Sequence, residues 1–239
     1  VAPSRGLGDV YKRQASSGIS AGDLEVGKIV RLNEKGTPVD YLVVNQGIPE
    51  DSPLYDASCE GTWLLRKDIS ENRIWDSGEV NNLEQSDIQS WLNGTMLLKY
   101  DSNIKSSLKQ VKIPYRQEGG IGGTDSTGAN GLSCKIFLLS GYEVGWSTIT
   151  SPYFPVDGAK LTYFESGTNS LANSKRVANR NGNAENWWLR SPYTNDANYV
   201  WYTRTNGDSS IWRANTYAGI RPALILPYDF QFTKKEVSA

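Results

Sequence analysis

The sequence predicts a single α+β domain, built from short strands with two or more helices. Three observations predict it. Short apolar runs bounded by Gly, Pro, Asn or Asp recur through most of the chain. The segment opening at Ser86 carries a helix cap followed by helical apolar spacing. A chain of 239 residues is long enough for one large core without requiring two.

Residues 27–32 and 39–44 read as strands joined by a turn at Lys35-Gly36, and residues 61–66 as a third. Ser86-Asp87-Ile88-Gln89 has the Ser-x-x-Gln form of a capping box. Ile88, Trp91 and Leu92 share one face, and Asn93-Gly94 supplies a stop. A second helix is expected over residues 103–110, then a strand over 111–115. Residues 117–131 are glycine-rich but lack the spacing of a phosphate-binding loop, so a mobile surface loop is expected. Residues 135–139 read as a buried strand and residues 160–164 as a short helix. The last third reads as strands over 187–190, 199–205, 211–214 and 219–226, with a tight turn at Asn206-Gly207-Asp208. Period-two alternation puts Tyr199, Trp201 and Thr203 on one face and Val200, Tyr202 and Arg204 on the other; both faces carry aromatics.

Composition excludes several function classes. Histidine is absent, which removes the commonest general base and every Ser-His or Cys-His nucleophilic pair. Charge is nearly balanced at −1 with no basic cluster, so nucleic acid is not an expected partner. Cys59 and Cys134 sit in no metal-binding spacing; they are buried thiols, the default, or one bridge. No metal and no cofactor are expected, and no apolar run is long enough for membrane insertion. Residues 9–14, Asp-Val-Tyr-Lys-Arg-Gln, are the translation of a transposon mosaic-end adapter used in shotgun sequencing. Residues 1–20 are therefore expected to be an adapter-derived or disordered leader to a domain over 21–239. This points to a metagenomic source and leaves localisation open.

Residues 193–217 differ from their flanks. They hold Tyr, Trp, Arg, Asn, Ser, Thr, Asp and Gly, with no Lys, Glu, Gln, Met or Leu. Tyr and Trp give large, stiff contact area with few torsions to freeze, and the short polar residues give adaptable hydrogen bonds. That is the chemistry of an antibody combining loop, although a turn-rich β segment is also poor in long flexible side chains.

Four motifs carry a family resemblance: residues 87–94 (DIQSWLNG), 136–144 (IFLLSGYEV), 188–192 (WLRSP) and 219–223 (GIRPA). In this order, across residues 21–228, the chain resembles a family of phage-associated and bacterial domains of uncharacterised function. That family is related to the C-type-lectin-fold variable proteins of diversity-generating retroelements. The resemblance implies a C-type-lectin-like fold whose last strands display a ligand-binding surface, hypervariable through adenine-directed mutagenesis. Randomised adenines in Asn codons of the form AAY never yield Lys, Glu, Gln, Met or Trp, which matches the gap in residues 193–217. Trp201 and Trp212 are compatible, because TGG contains no adenine.

Carried over residue by residue, the displayed positions are Tyr193, Thr194, Asn195, Asp196, Asn198, Tyr199, Tyr202, Arg204, Asp208, Ser209, Ser210, Arg213 and Tyr217. The framework includes Trp188, Arg190, Trp201, Trp212 and Arg221. A lone Arg in a β framework usually satisfies carbonyls or a carboxylate, and that role is expected of Arg190 and Arg221. The leading expectation is a non-catalytic recognition protein of a virion or cell surface, such as a phage receptor-binding or display protein, whose ligand is a protein or a glycan. The alternatives are a structural virion or cell-wall component with a fixed interface and an enzyme on the same fold. The formylglycine-generating oxidases have a similar architecture but use a cysteine pair near the C-terminus, and nothing after Cys134 is cysteine. Lectin-type calcium ligation has only the fragment Asn195-Asp196.

Overall fold

Ten strands in the computed structural model, which describes residues 18–120 and 122–238, make two five-stranded sheets. In chain order they are β1 (Ile29–Glu34), β2 (Thr37–Gln46), β3 (Thr62–Arg66), β4 (Asn72–Ile74) and β5 (Ile136–Phe137). Then follow β6 (Trp187–Pro192), β7 (Tyr199–Thr203), β8 (Ser209–Arg213), β9 (Tyr217–Gly219) and β10 (Ala223–Leu226). The first sheet has the order β5-β10-β3-β2-β1 and the second β8-β7-β6-β9-β4. Neighbours are antiparallel except β6 and β9, which run parallel with Trp187 opposite Gly219. Three short helices, α1 (Asp87–Trp91), α2 (Ser102–Ser107) and α3 (Ser170–Arg176), complete a compact α+β domain with one continuous core.

The first sheet is buried because its strands are: Val43, Val44, Trp63, Leu64, Leu65, Leu224, Ile225 and Leu226 are all fully enclosed. Tyr55, Trp63 and Phe137 add edge-to-face contacts at 5.6 and 5.4 Å, the geometry their quadrupoles favour. Ser86 caps α1 by accepting from the Gln89 amide at 3.2 Å, as its sequence predicts.

Several expected elements are corrected. The chain does not stop at Asn93-Gly94 but continues through a π turn (Leu92–Met96) and a 3-10 turn (Leu97–Lys99). The Asn93 side chain is occupied elsewhere, accepting from the Lys135 and Ile136 amides and donating to the Ile136 carbonyl. Residues 160–164 are not a helix. Their amides at Leu161, Thr162 and Tyr163 donate to Glu143, Asn45 and Val44, so the backbone pairs mainly with its surroundings and closes only a single turn, from the Phe164 amide to the Leu161 carbonyl. The helix of that region lies later, in α3, where Asn169 caps the Ala172 amide at 3.0 Å. The run 219–226 is two strands, since Ile220-Arg221-Pro222 carries the chain from the second sheet to the first.

The glycine-rich stretch 117–131 is anchored at its base, where Tyr115–Arg116 pairs with Asp125–Ser126. Residues 1–17 of the expected leader lie outside the described residues. Ile19 and Ser20 pair with Phe232 and Gln231. Among the described residues no helix is long and apolar enough to cross a membrane.

Candidate binding surface

The framework of the second sheet is set by a bulge in β6. Trp188 faces Tyr202 and Pro192 faces Val200, so three residues of β6 (189, 190, 191) stand against one of β7 (201). Arg190 leaves the ladder there and enters the core. Its guanidinium grips Glu143 through two bonds of 2.5 and 2.7 Å, both side chains fully buried, and donates to the carbonyls of Pro114, Leu138 and Asp157. Glu143 also accepts from the Tyr55 hydroxyl at 2.8 Å and the Ser140 amide at 2.9 Å. Two of the sequence motifs, GYEV and WLRSP, thus meet in one satisfied ion pair.

Arg221 meets the expectation only in part: its Nε donates to the Arg66 carbonyl at 3.1 Å and its guanidinium lies 4.7 Å over the Trp187 ring, while its buried Nη1 has no hydrogen-bond partner among the described residues. Burial pushes its pKa down to about 10. Trp188 and Trp201 are buried, the latter stacked on Phe154 at 3.8 Å, and Trp212 is half-buried on the edge strand.

Around this frame the displayed positions fall into two groups. Tyr199 lies opposite Arg213 and Thr203 opposite Ser209, so the hairpin tip is one strand length from the other end. At the tip, Arg204 is exposed while Asp208, Ser209 and Ser210 are half-buried. The turn is fixed by Gly207, whose φ is +81° and whose missing Cβ would lie 1.9 Å from the Asn173 carbonyl oxygen.

The other displayed positions are Tyr193, Thr194, Asn195, Asp196, Asn198, Tyr199, Arg213 and Tyr217; among them Arg213 meets Tyr199 and shares Glu79 with Asn215. Tyr217 is 69% exposed, Asn195 and Arg213 are exposed, and the Arg213 guanidinium stands 5.3 Å over the Tyr199 ring. Tyr202 is the correction. It is 5% exposed, stacked on Trp212 at 4.3 Å and edge-on to Trp188 at 6.1 Å, so the half-buried tryptophan of the edge strand covers it.

The residues that hold this surface in place lie outside residues 193–217. Asn81 is fully buried; its amide nitrogen donates to the carbonyls of Asp196 and Tyr199 at 2.9 and 2.7 Å, and its oxygen accepts from Gly119 at 2.7 Å. A Cβ on Gly119 would sit 2.3 Å from the Tyr193 carbonyl oxygen, so only glycine fits. Glu79, at a left-handed φ of +56°, accepts from Arg213 at 2.9 Å and from the Asn215 amide, while its carbonyl accepts from Asn198 at 2.7 Å. The Tyr153 carbonyl accepts from Thr194 and Trp201, and its ring meets Tyr193 edge-on at 5.1 Å. Sequence reading missed all four. The one available signal was Gly119, a glycine in a loop with no other assigned role.

Elsewhere, Cys59 and Cys134 are free and buried, and burial pushes their thiols up to about 11 and about 12, which keeps them protonated and unreactive. Burial likewise raises the Asp157 carboxyl to about 7, against the pull of Arg190 and a bond from Ser191. Among the described residues no three His, Cys, Asp or Glu side chains gather closely enough to hold a metal.

A family profile described as a domain of unknown function, DUF6273, matches residues 60–228, and the chain belongs to that family. The matched span contains Glu79, Asn81, Glu143, Arg190 and the whole of residues 193–217. Neither the curated proteins nor the solved structures return a match.

Proposed function

We propose that this chain is a non-catalytic recognition domain whose ligand-binding surface is displayed by residues 193–217. The fold is taken as C-type-lectin-like and the surface as the diversified region of a retroelement variable protein on a virion or cell surface. The observation that carries this reading is the exposed Arg213 guanidinium lying 5.3 Å over the half-buried Tyr199 ring, beside a loop whose Asp196 and Tyr199 carbonyls are bound by a buried Asn81, with the exposed Tyr217 on the strand that follows. Aromatic and Arg side chains supply most of the energy at interfaces, and pre-ordering them lowers the entropy lost on binding. Tyr202 is left out of the contact set, and Glu79 and Tyr153 join it.

The ligand is a protein or a glycan. Fluorescently labelled protein applied to intact bacteria and to a glycan array tests the reading against an Arg213→Ala/Tyr217→Ala variant. Selective retention of the parent, lost in the variant without loss of thermal stability, supports it. Equal retention of both proteins contradicts it.

A further inference from the structure

The strand β8 lies at one edge of the second sheet and pairs only with β7, without a break from Tyr199 opposite Arg213 to Thr203 opposite Ser209. An antiparallel ladder turns alternate residues toward and away from the neighbouring strand. The Ala214 amide donates to the Asn198 carbonyl at 2.8 Å and the Arg204 amide to the Asp208 carbonyl at 2.7 Å, which sets the phase. Ser210 and Trp212 therefore spend their main-chain groups on β7, while Ser209, Ile211 and Arg213 turn theirs outward.

Two of the outward groups are satisfied within the chain. The Ser209 amide donates to the Asp208 carboxylate at 2.8 Å, and the Arg213 carbonyl accepts from the Thr216 amide at 2.9 Å. The Ser209 carbonyl, the Ile211 amide and carbonyl and the Arg213 amide have no hydrogen-bond partner among the described residues.

The other sheet edges are covered or short. Glu236 and Ser238 bond along β1, the Asn93 side chain takes both main-chain groups of Ile136 in β5, and β4 is three residues long. β8 has neither Pro nor Lys nor a bulge to guard it, and its one charge, Arg213, is tied to Glu79. It also carries the half-buried apolar side chains of Ile211 and Trp212.

We propose that β8 pairs antiparallel with β8 of a second copy, about a two-fold axis through Ile211. In that register each Ile211 exchanges both main-chain bonds with its counterpart, and each Arg213 amide meets a Ser209 carbonyl. The facing groups left over are the Ser209 amide and the Arg213 carbonyl, the two already satisfied within each chain. Open groups thus meet open groups throughout, whereas a strand with all its groups open would set some of them against closed ones. The side chains match too. Trp212 stands opposite Ser210, large against small, Ile211 meets Ile211, and Arg213 faces the neutral Ser209, so no like charges oppose. This pairing goes beyond the ligand-binding role of residues 193–217 and does not depend on it.

Sedimentation equilibrium of the full chain from micromolar to millimolar concentration, with no ligand added, tests the pairing. The expected result is a reversible monomer–dimer equilibrium. Ile211→Pro removes an outward amide, a change that an edge strand tolerates, and should leave a monomer at every concentration. Two further variants keep every main-chain group and test the register: Ser209→Arg sets a second cation opposite Arg213 of the other copy, and Ser209→Glu sets a carboxylate there. Each contact occurs twice about the axis, so the dimer should weaken roughly two- to thirtyfold in the first and tighten by a similar factor in the second. A parent that stays monomeric throughout overturns the proposal, and so does a dimer of equal affinity in both Ser209 variants. Ligand retention enters neither readout, so failure here leaves the binding assignment standing.

Discussion

Glu79 accepts a hydrogen bond from Arg213 at 2.9 Å across 134 positions of sequence. One residue in left-handed backbone thus fixes the pose of an exposed cation in the candidate surface. Both side chains are well solvated, at 53% and 33% exposure, so the pair contributes little to stability. Glu79→Ala is expected to change the unfolding free energy in urea by under about 1 kcal/mol. Binding to whatever the glycan array or cells retain should fall, because Arg213 and Asn215 lose a common carboxylate anchor. A large loss of stability would make Glu79 a folding residue instead.

The pair of Arg190 and Glu143 behaves oppositely. Both are fully buried and doubly bonded, so removing one partner strands the other charge in the core. Glu143→Gln is expected to cost ~3–5 kcal/mol in chemical denaturation, a large share of a domain stability of ~5–15 kcal/mol. A cost below about 1 kcal/mol would show that the network is dispensable.

Asp157 makes stability depend on pH. Its folded pKa is raised to about 7 from an ordinary 3.8, so the folded protein binds this proton more tightly than the unfolded chain. The contribution is fully present below the unfolded value and is lost as pH rises through about 7. Urea unfolding from about pH 4 to about pH 8 should show the parent losing a few kcal/mol relative to Asp157→Asn. Parallel profiles for the two proteins would contradict the burial-driven shift.

Two glycines separate backbone strain from crowding. Gly36 has φ +75° with nothing within 4 Å of an added Cβ, whereas Gly207, at φ +81°, has the Asn173 carbonyl in the way. Gly36→Ala is expected to cost ~1 kcal/mol and Gly207→Ala at least ~1 kcal/mol more. Thermal melts of the pair check this; equal losses would mean that the hairpin tip is not docked on α3.

Local chemistry was legible in the sequence where it acts over a few residues. Ser86 caps α1, Asn206-Gly207 turns the hairpin, and the pattern around Arg190 gave its role because a buried guanidinium has few ways to be satisfied. Residues 160–164 and 219–226 misled because their fate depends on distant carbonyls and on which sheet the chain joins, and neither leaves a local pattern. The surface was half legible. Its polar and aromatic composition marked residues 193–217, but alternation could not tell that Trp212 covers Tyr202. Asn81 and Glu79 gave no signal, since their work is done more than a hundred positions away.

The central claim is that a fixed frame carries exchangeable displayed residues, and codon-level sequencing of this locus across its source population tests it most directly. Substitutions confined to adenine positions, dense at exposed codons such as those of Asn195, Arg213 and Tyr217 and absent at Val200 and Trp201, are the expected result. Variation spread evenly over buried and exposed codons, with no bias toward adenine, would contradict it.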